Sequence, residues 1–365
     1  KGMVDDLKRT DAALLELTAR AISNGRGDGD KALSVGALSE AEWLEVYAAA
    51  VRGGVCALVW DSVLRLERSL WPPRELRLRW GVSADAIASG YEDRAAKIFE
   101  LTDHFAAAGI KTYCLKGLAL SHCYPKPELR ESGDFDCYLD GDFDRGNEVA
   151  VSFGATFDPH DYSHSVLVYK GLKVENHRYF LAIRGNERHK QLERYLHGVI
   201  ACEQRIGNSN LYYPSGQFHA MFLTMHALNH FLYEGIRLRH LCDWVCFLNA
   251  ERANVDWAEF NRRCAEVGAE RFVAAMNAVC TRYLGLNLSG TTLKCDGRSA
   301  ARLLRDTLDG GRRISGISNL WRQRMAKIRN MIDSRWKFRD LYDRNFLSSI
   351  VRLAVGVVVD PHPKI

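Results

Sequence analysis

The sequence predicts an α+β protein in which a small mixed β-sheet core is flanked by N-terminal and C-terminal helical regions. Apolar residues recur every three to four positions before residue 105 and again after about residue 187, as in amphipathic helices. Between these regions, short alternating runs are separated by Gly and Pro, which is typical of strands. We therefore divide the 365 residues into a helical region (1–105), a sheet-bearing core (106–205) and a second helical region (206–365).

The N-terminal region carries clear signals for helix ends. Ser39 and Glu42 have the spacing of a capping box, in which each side chain binds the other residue's backbone N–H. Ser83 is predicted to begin a long helix over Ala84–Ala108, and Gly109 is the residue type that favours a helix C-terminus.

Four strands are predicted in the core. The run Lys111–Leu115 is short and apolar, and Asp134–Leu139 alternates polar and apolar residues. The runs Ser163–Lys170 and Leu172–Arg178 are predicted to form a hairpin that turns at Lys170-Gly171.

Helices dominate again from about residue 187, where helical spacing predicts segments at 187–198, 215–233, 237–250, 256–267, 269–284 and 297–309. Residues 312–344 interleave basic and aromatic side chains. This pattern is typical of a nucleic-acid surface. It equally describes amphipathic helices with a solvated basic face, which we favour because the aromatic residues fall at helical spacing.

Composition limits the class of protein. The chain is 47% hydrophobic and 26% charged, which is ordinary for a globular protein, and its net charge of +5 permits a polyanionic partner without requiring one. Its ten cysteines include no Cys-x-x-Cys pair, and no apolar run is long enough for a transmembrane helix. We therefore expect a cytoplasmic protein. Motifs of P-loop ATPases, protein kinases, α/β-hydrolases and dinucleotide oxidoreductases are absent.

Two acidic residues are the strongest candidates for catalysis. Asp134 and Asp136 alternate along one predicted strand, so their side chains project from the same face. Two such charges repel by about 4 kcal/mol at an intermediate dielectric constant. A divalent cation relieves that repulsion, and carboxylate oxygens suit Mg²⁺ or Mn²⁺. Glu175, on the second strand of the hairpin, is predicted to complete the metal ligands or to act as a general base.

Phosphate-binding groups are predicted beside these acids. Lys116-Gly117 follows the first strand and precedes a short helix, so the turn offers backbone N–H groups and a positive side chain to a phosphate. Arg130 has the planar fork that binds phosphate bidentately. A metal held beside a phosphate-binding turn is the arrangement that phosphoryl transfer requires.

Together these segments resemble the uncharacterised nucleotidyltransferase family of the DNA polymerase beta superfamily. The resemblance is carried by Leu115-Lys116-Gly117, Tyr124-Pro125, Arg130, Gly133-Asp134-Phe135-Asp136 and Val174-Glu175-Asn176-His177, and more weakly by His226, His230, Arg239, Leu241 and Asp243. It implies metal-dependent transfer of a nucleoside monophosphate from an NTP to an acceptor, with release of pyrophosphate. The acceptor is a small molecule, a protein or RNA. The chain has Lys116-Gly117 where the superfamily has Gly-Ser, and Glu175 where an Asp is commoner. The alternative is therefore a degenerate module of the same fold that binds nucleotide or RNA without turnover.

Three histidines remain open in their interpretation. His226 and His230 are one helical turn apart, but Ala227 replaces the Glu that a zinc-protease helix needs. They either pack as structural residues or contact the substrate, and His177 either bounds the pocket or is structural. Arg239 and Asp243, also one turn apart, are predicted to form an ion pair.

Overall fold

A computed structural model describes residues 7–23, 32–158, 162–309, 329–342 and 346. It confirms the predicted α+β class, with helices around a single six-stranded mixed sheet. The strands are β1 (Thr112–Cys114), β2 (Asp134–Tyr138), β3 (Thr156–Asp158), β4 (His164–Tyr169), β5 (Leu172–His177) and β6 (Leu211–Tyr212). The helices before β2 are α1 (Arg9–Ile22), α2 (Glu40–Gly53), α3 (Cys56–Val63), α4 (Arg74–Ala107) and α5 (Leu118–Ser121).

The later helices are α6 (Phe143–Ser152), α7 (Glu187–Val199), α8 (Gly216–Tyr233), α9 (Leu238–Glu251), α10 (Trp257–Val267), α11 (Glu270–Tyr283) and α12 (Ala300–Leu308), and a short helix spans Arg335–Asp340. No helix among the described residues has both the length and the apolar character needed to cross a membrane.

The sheet has the order β3-β4-β5-β2-β1-β6, which places β2 near its centre. β2 runs antiparallel to β1 and parallel to β5. The predicted hairpin is present, because Lys170 and Gly171 both adopt positive φ values, 49° and 79°, at the turn between β4 and β5. Two-residue turns of this kind match the twist of the strands that they connect.

The two faces of the sheet contribute to two different cores. Phe135, Cys137 and Leu139 pack with the C-terminal half of α4 and with α6. Tyr138, on the opposite face, packs into a larger core built from the N-terminal and C-terminal helices together. Helix α1 contacts α9 and α11, and α12 contacts α2, so the two helical regions share this core.

Helix α4 begins earlier than predicted. Ser83 does not begin a helix; its hydroxyl donates to the Arg79 carbonyl oxygen inside a continuous helix that begins at Arg74. The helix starts directly after Pro73, a residue that is compatible with a helix N-terminus because it lacks an N–H to satisfy. The Ser39–Glu42 capping box is confirmed, with both reciprocal hydrogen bonds present.

Some of the short elements were not predicted from the sequence. Strands β3 and β6 were missed, because two or three residues carry too little periodicity to identify a strand, and the eight-residue helix α3 was missed as well. Most of the basic segment 312–344 lies outside the described residues. In its described part, Phe338 is buried, as the amphipathic-helix interpretation predicts, but Lys337 is also buried and pairs with Asp306, so it does not lie on a solvated basic face.

Candidate functional site

The pairing of β2 with β5 brings the predicted acids together. In this parallel register Asp136 lies opposite Glu175, and Asp134 lies opposite Lys173. Asp134 and Asp136 point from the same face of β2, because the residues between and beyond them belong to the core on the other face. The site is therefore located on the central strands of the sheet.

Asp136 is the most buried of these acids, with 1% of its side chain exposed. Its Oδ1 lies 2.7 Å from Lys116 Nζ and 3.2 Å from His177 Nε2. Burial alone would raise the pKa of Asp136, but the Lys116 charge and the His177 hydrogen bond outweigh it and hold that pKa well below its usual value. Asp136 Oδ2 is also buried and has no hydrogen-bond partner among the described residues.

Glu175 and His177 complete a group of potential metal ligands with Asp136. One ligand atom from each of the three residues lies within 4.8 Å of the others. Glu175 also pairs with Lys173, and its Oε2 lies 4.0 Å from His164 Nε2. His177 was predicted only as a pocket boundary. Its place beside Asp136 follows from the two-residue alternation of β5, a signal that the sequence contained.

Asp134 is half-buried on the wall of the cleft, but it is not part of the metal-ligand groups found among the described residues. Burial, and then the negative charge of Asp136, raise its pKa above the usual value. The structure thus separates the two predicted partners: Asp136 is held as a carboxylate by Lys116, whereas Asp134 has less compensation for its charge.

The Lys116-Gly117 turn closes one side of the cleft. Gly117 has φ 54° and ψ −109°, and a Cβ atom there would lie 3.2 Å from Ser132 Oγ, so only glycine fits without strain. Helix α5 after the turn has four residues, which is too short for a substantial helix dipole. Lys116 is therefore the main positive group that the structure places at the turn.

Ser132 was missed by the sequence analysis. It lines the cleft beside Gly117, and its hydroxyl donates to the Asp134 carbonyl oxygen at 3.4 Å. The serine of the superfamily's Gly-Ser turn is absent after Lys116, but this hydroxyl reaches the same turn from the loop that precedes β2. Only the fold could reveal this, since fifteen residues separate Ser132 from Gly117 in the chain.

Arg130 has a different environment from the one expected of a phosphate ligand. It is 4% exposed, and its Nε and Nη2 donate to the two carboxylate oxygens of Asp243 at 2.7 and 2.9 Å. Its Nη1 donates to the Gly117 carbonyl oxygen at 3.3 Å. Because the guanidinium nitrogens already donate to Asp243 and to Gly117, Arg130 supports the Gly117 turn in place of the expected bidentate phosphate contact.

The predicted Arg239–Asp243 ion pair is also wrong: Asp243 pairs with Arg130, and Arg239 donates to the Glu131 carbonyl oxygen.

Helix α8 holds the opposite wall of the cleft against the sheet. Its residues Phe218–Met225 are buried without interruption, which requires packing on all sides. His219 contacts the Leu115 carbonyl oxygen through Nε2 at 3.0 Å. Burial lowers the pKa of His219 to about 4, so the neutral ring donates this hydrogen bond at the end of β1.

Three histidines lie together at this wall, and two of them, His226 and His240, line the cleft. His226 and His230 of α8 and His240 of α9 have ring centroids 4.5 to 6.0 Å apart. His226 Nε2 lies 3.5 Å from Lys116 Nζ, which connects these rings to the acids.

The cleft encloses about 530 Å³, including open solvent at its mouth, and is lined by Lys116, Gly117, Arg130, Ser132, Asp134, Asp136, His226, Arg239 and His240 among others.

Comparison with known proteins agrees with the geometry. The model of a family described as "Uncharacterised nucleotidyltransferase" matches residues 39–285, a span that includes the whole sheet and helices α2 to α11. Neither a curated protein nor a solved structure gives a significant match.

Proposed function

Because this chain belongs to the uncharacterised nucleotidyltransferase family, we propose that it transfers a nucleoside monophosphate from an NTP to an acceptor in a metal-dependent reaction that releases pyrophosphate. The family supports nucleotidyl transfer in general. The metal, the residues and their roles are inferred from the cleft.

The observation that carries the proposal is the free oxygen of Asp136. A buried carboxylate oxygen without a hydrogen-bond partner costs roughly 1–3 kcal/mol or more, and a protein rarely keeps one without a use. Glu175 and His177 each present a ligand atom within 4.8 Å of an Asp136 carboxylate oxygen. Two carboxylates and one imidazole fit Mn²⁺ well, and Mg²⁺ fits through the two carboxylates and water. A divalent cation bound there would neutralise charge on the phosphates and on the leaving pyrophosphate.

Lys116 has two roles in this proposal. Without substrate it neutralises Asp136 across 2.7 Å. Its four-carbon stem lets the ammonium group turn toward the triphosphate when a cation takes over the compensation of Asp136. Gly117 and Ser132 then offer backbone and hydroxyl groups to the phosphates, while Arg130 keeps the turn in place through the Gly117 carbonyl oxygen.

The remaining acids are proposed to act on the acceptor side. Asp134 faces the cleft with a pKa that burial and the negative charge of Asp136 raise, so it keeps its proton to a higher pH than an ordinary carboxyl group. Glu175 either completes the metal ligands or accepts the proton of the acceptor hydroxyl. The proposed acceptor is a small molecule, a protein hydroxyl or an RNA end.

The test is a screen for pyrophosphate release with each of the four NTPs, with Mg²⁺, with Mn²⁺ and without metal. A polyol, a serine-containing peptide and a short RNA serve as acceptor probes. We expect metal-dependent release that Asp136→Asn reduces by roughly 1,000-fold or more, since it removes an anionic ligand at the reacting centre. Asp93→Asn, on the exposed surface of α4, is the matched control and should retain wild-type activity. Wild-type activity in Asp136→Asn would contradict the proposal.

The alternative function is nucleotide or RNA binding without turnover. The Lys116–Asp136 ion pair favours it, because that pair already satisfies one carboxylate oxygen without a metal. Calorimetry separates the two functions. Equal NTP affinity with and without Mg²⁺, together with no pyrophosphate release, would favour the binding module.

A further inference from the structure

The three histidines on the helical wall of the cleft have the arrangement of a second metal site. His226 and His230 lie one turn apart on α8, and His240 approaches from the first turn of α9. One ring nitrogen from each residue lies within 4.8 Å of the other two. A tetrahedral ion with metal–nitrogen bonds of about 2.0–2.1 Å requires nitrogens roughly 3.4 Å apart. An ion of this kind would therefore draw the three ring nitrogens closer together.

Two of the rings are oriented by hydrogen-bonding groups outside the cluster. His230 Nδ1 lies 3.3 Å from Glu234 Oε2, a carboxylate–histidine contact of the kind that supports metal ligands. His240 Nδ1 lies against the backbone of Arg237, 3.0 Å from its nitrogen and 3.3 Å from its oxygen. In His230 the other ring nitrogen, Nε2, remains for the cluster. In His240, Nε2 presents a lone pair in the tautomer whose Nδ1–H donates to the Arg237 carbonyl oxygen.

The electrostatic state of the rings favours a cation over an anion. Burial lowers the pKa of His226 and of His240 well below the usual value, and the positive charge of Lys116 lowers that of His226 further. Neutral imidazoles present lone pairs and carry no charge to attract a phosphate. The ammonium group of Lys116 is already compensated by Asp136, so its repulsion of a second cation is reduced.

We propose that His226, His230 and His240 bind one transition-metal ion of the zinc class, with a fourth coordination position open to the cleft. Three protein ligands and one open position are typical of zinc sites that contact a substrate. The site differs from the carboxylate group of Asp136 in its ligands and its metal preference, since imidazoles select Zn²⁺ or Co²⁺ over Mg²⁺. It does not depend on nucleotidyl transfer, because binding is measured without an NTP.

The experiment uses the full chain, freed of metal by a chelator and titrated with Co²⁺ and with Zn²⁺. We expect one Co²⁺ per chain with the visible absorption of tetrahedral coordination, displaced by one equivalent of Zn²⁺. Replacing His230 or His240 with Asn should weaken metal binding by at least about 100-fold. Glu234→Gln should weaken metal binding by about 10–100-fold, as is usual when a group that hydrogen-bonds to a metal ligand is lost. His122→Asn, an exposed histidine outside the cluster, is the matched control.

The carboxylate site is distinguished by Glu175→Gln, which removes a ligand of that site without touching Lys116 and should retain the tetrahedral Co²⁺ spectrum. Absence of stoichiometric Co²⁺ or Zn²⁺ binding by the wild-type chain would overturn the inference, and this result needs no variant to fold. It would also be overturned if Glu175→Gln abolished the binding or if the His230→Asn/His240→Asn double variant retained it.

Discussion

The ion pair between Lys116 and Asp136 should dominate the stability of the cleft. At 2.7 Å the Coulomb attraction is about 6 kcal/mol at an effective dielectric constant of 20. The side chains are only 16% and 1% exposed, so removing one partner leaves a poorly solvated charge. We expect Lys116→Met and Asp136→Asn each to lower the free energy of unfolding by roughly 3–5 kcal/mol.

The double variant should cost far less than the sum of the two single variants. A neutral Met–Asn pair leaves no charge stranded, and replacing a buried ion pair completely is often nearly neutral. We expect a coupling energy of at least about 2 kcal/mol from urea unfolding followed by tryptophan fluorescence.

The exposed pair Lys97–Asp93 on α4 is a matched control. It has the same 2.7 Å separation, but its side chains are 27% and 62% exposed. Its coupling energy should be about 0.3–0.5 kcal/mol, because solvent screens the attraction. Equal coupling energies for the two pairs, or additive effects of Lys116→Met and Asp136→Asn, would refute the reasoning.

Three further predictions follow from the cleft. Gly117→Ala should lower the free energy of unfolding by roughly 1–2 kcal/mol and raise the KM for NTP, because φ is positive and the new Cβ would lie 3.2 Å from Ser132 Oγ. The control is Gly198→Ala, where φ is not positive and no atom lies within 4 Å of the new Cβ. Urea unfolding and steady-state kinetics should show that this control leaves both quantities unchanged or raises stability slightly. Ser132→Ala should raise the KM for NTP by roughly 5-fold with less effect on kcat, as expected for one lost hydrogen bond of about 1 kcal/mol. An unchanged KM would remove Ser132 from the phosphate site. Asp134 has a folded-state pKa above its unfolded value, so its contribution to stability is present at low pH and is lost as pH rises through the folded pKa. Asp134→Asn should therefore be more stable than the wild type at pH 7 but not near pH 3, and the opposite order would contradict the raised pKa.

Local patterns in the sequence were sufficient to predict the sheet side of the site. The alternation of Asp134 and Asp136, and of Glu175 and His177, fixes which side chains share a face once the strands form. The turn at Lys170-Gly171 fixes the register of β4 against β5. The position of Glu175 beside Asp136 needed one further assumption, that β5 pairs with β2, and the structure confirms that pairing.

The helical side of the site could not be predicted in the same way. The contact between Arg130 and Asp243 spans 113 residues, and nothing in either local sequence distinguishes it from the expected Arg239–Asp243 pair. A spacing of four residues makes a contact possible on a helix, but burial decides which pair forms. His240 likewise joins His226 and His230 only because the turn after α8 folds α9 back against it.

The charges of the cleft imply an order of binding. Asp134, Asp136 and Glu175 place three carboxylates on the sheet side, where the nearest cations are Lys116 and Lys173. A triphosphate without a cation would be repelled by these acids. Lys116 alone cannot serve both Asp136 and a phosphate, because its ammonium group is held by the carboxylate. The NTP should therefore enter with its divalent cation, which takes over the compensation of Asp136 and releases Lys116 to the phosphates.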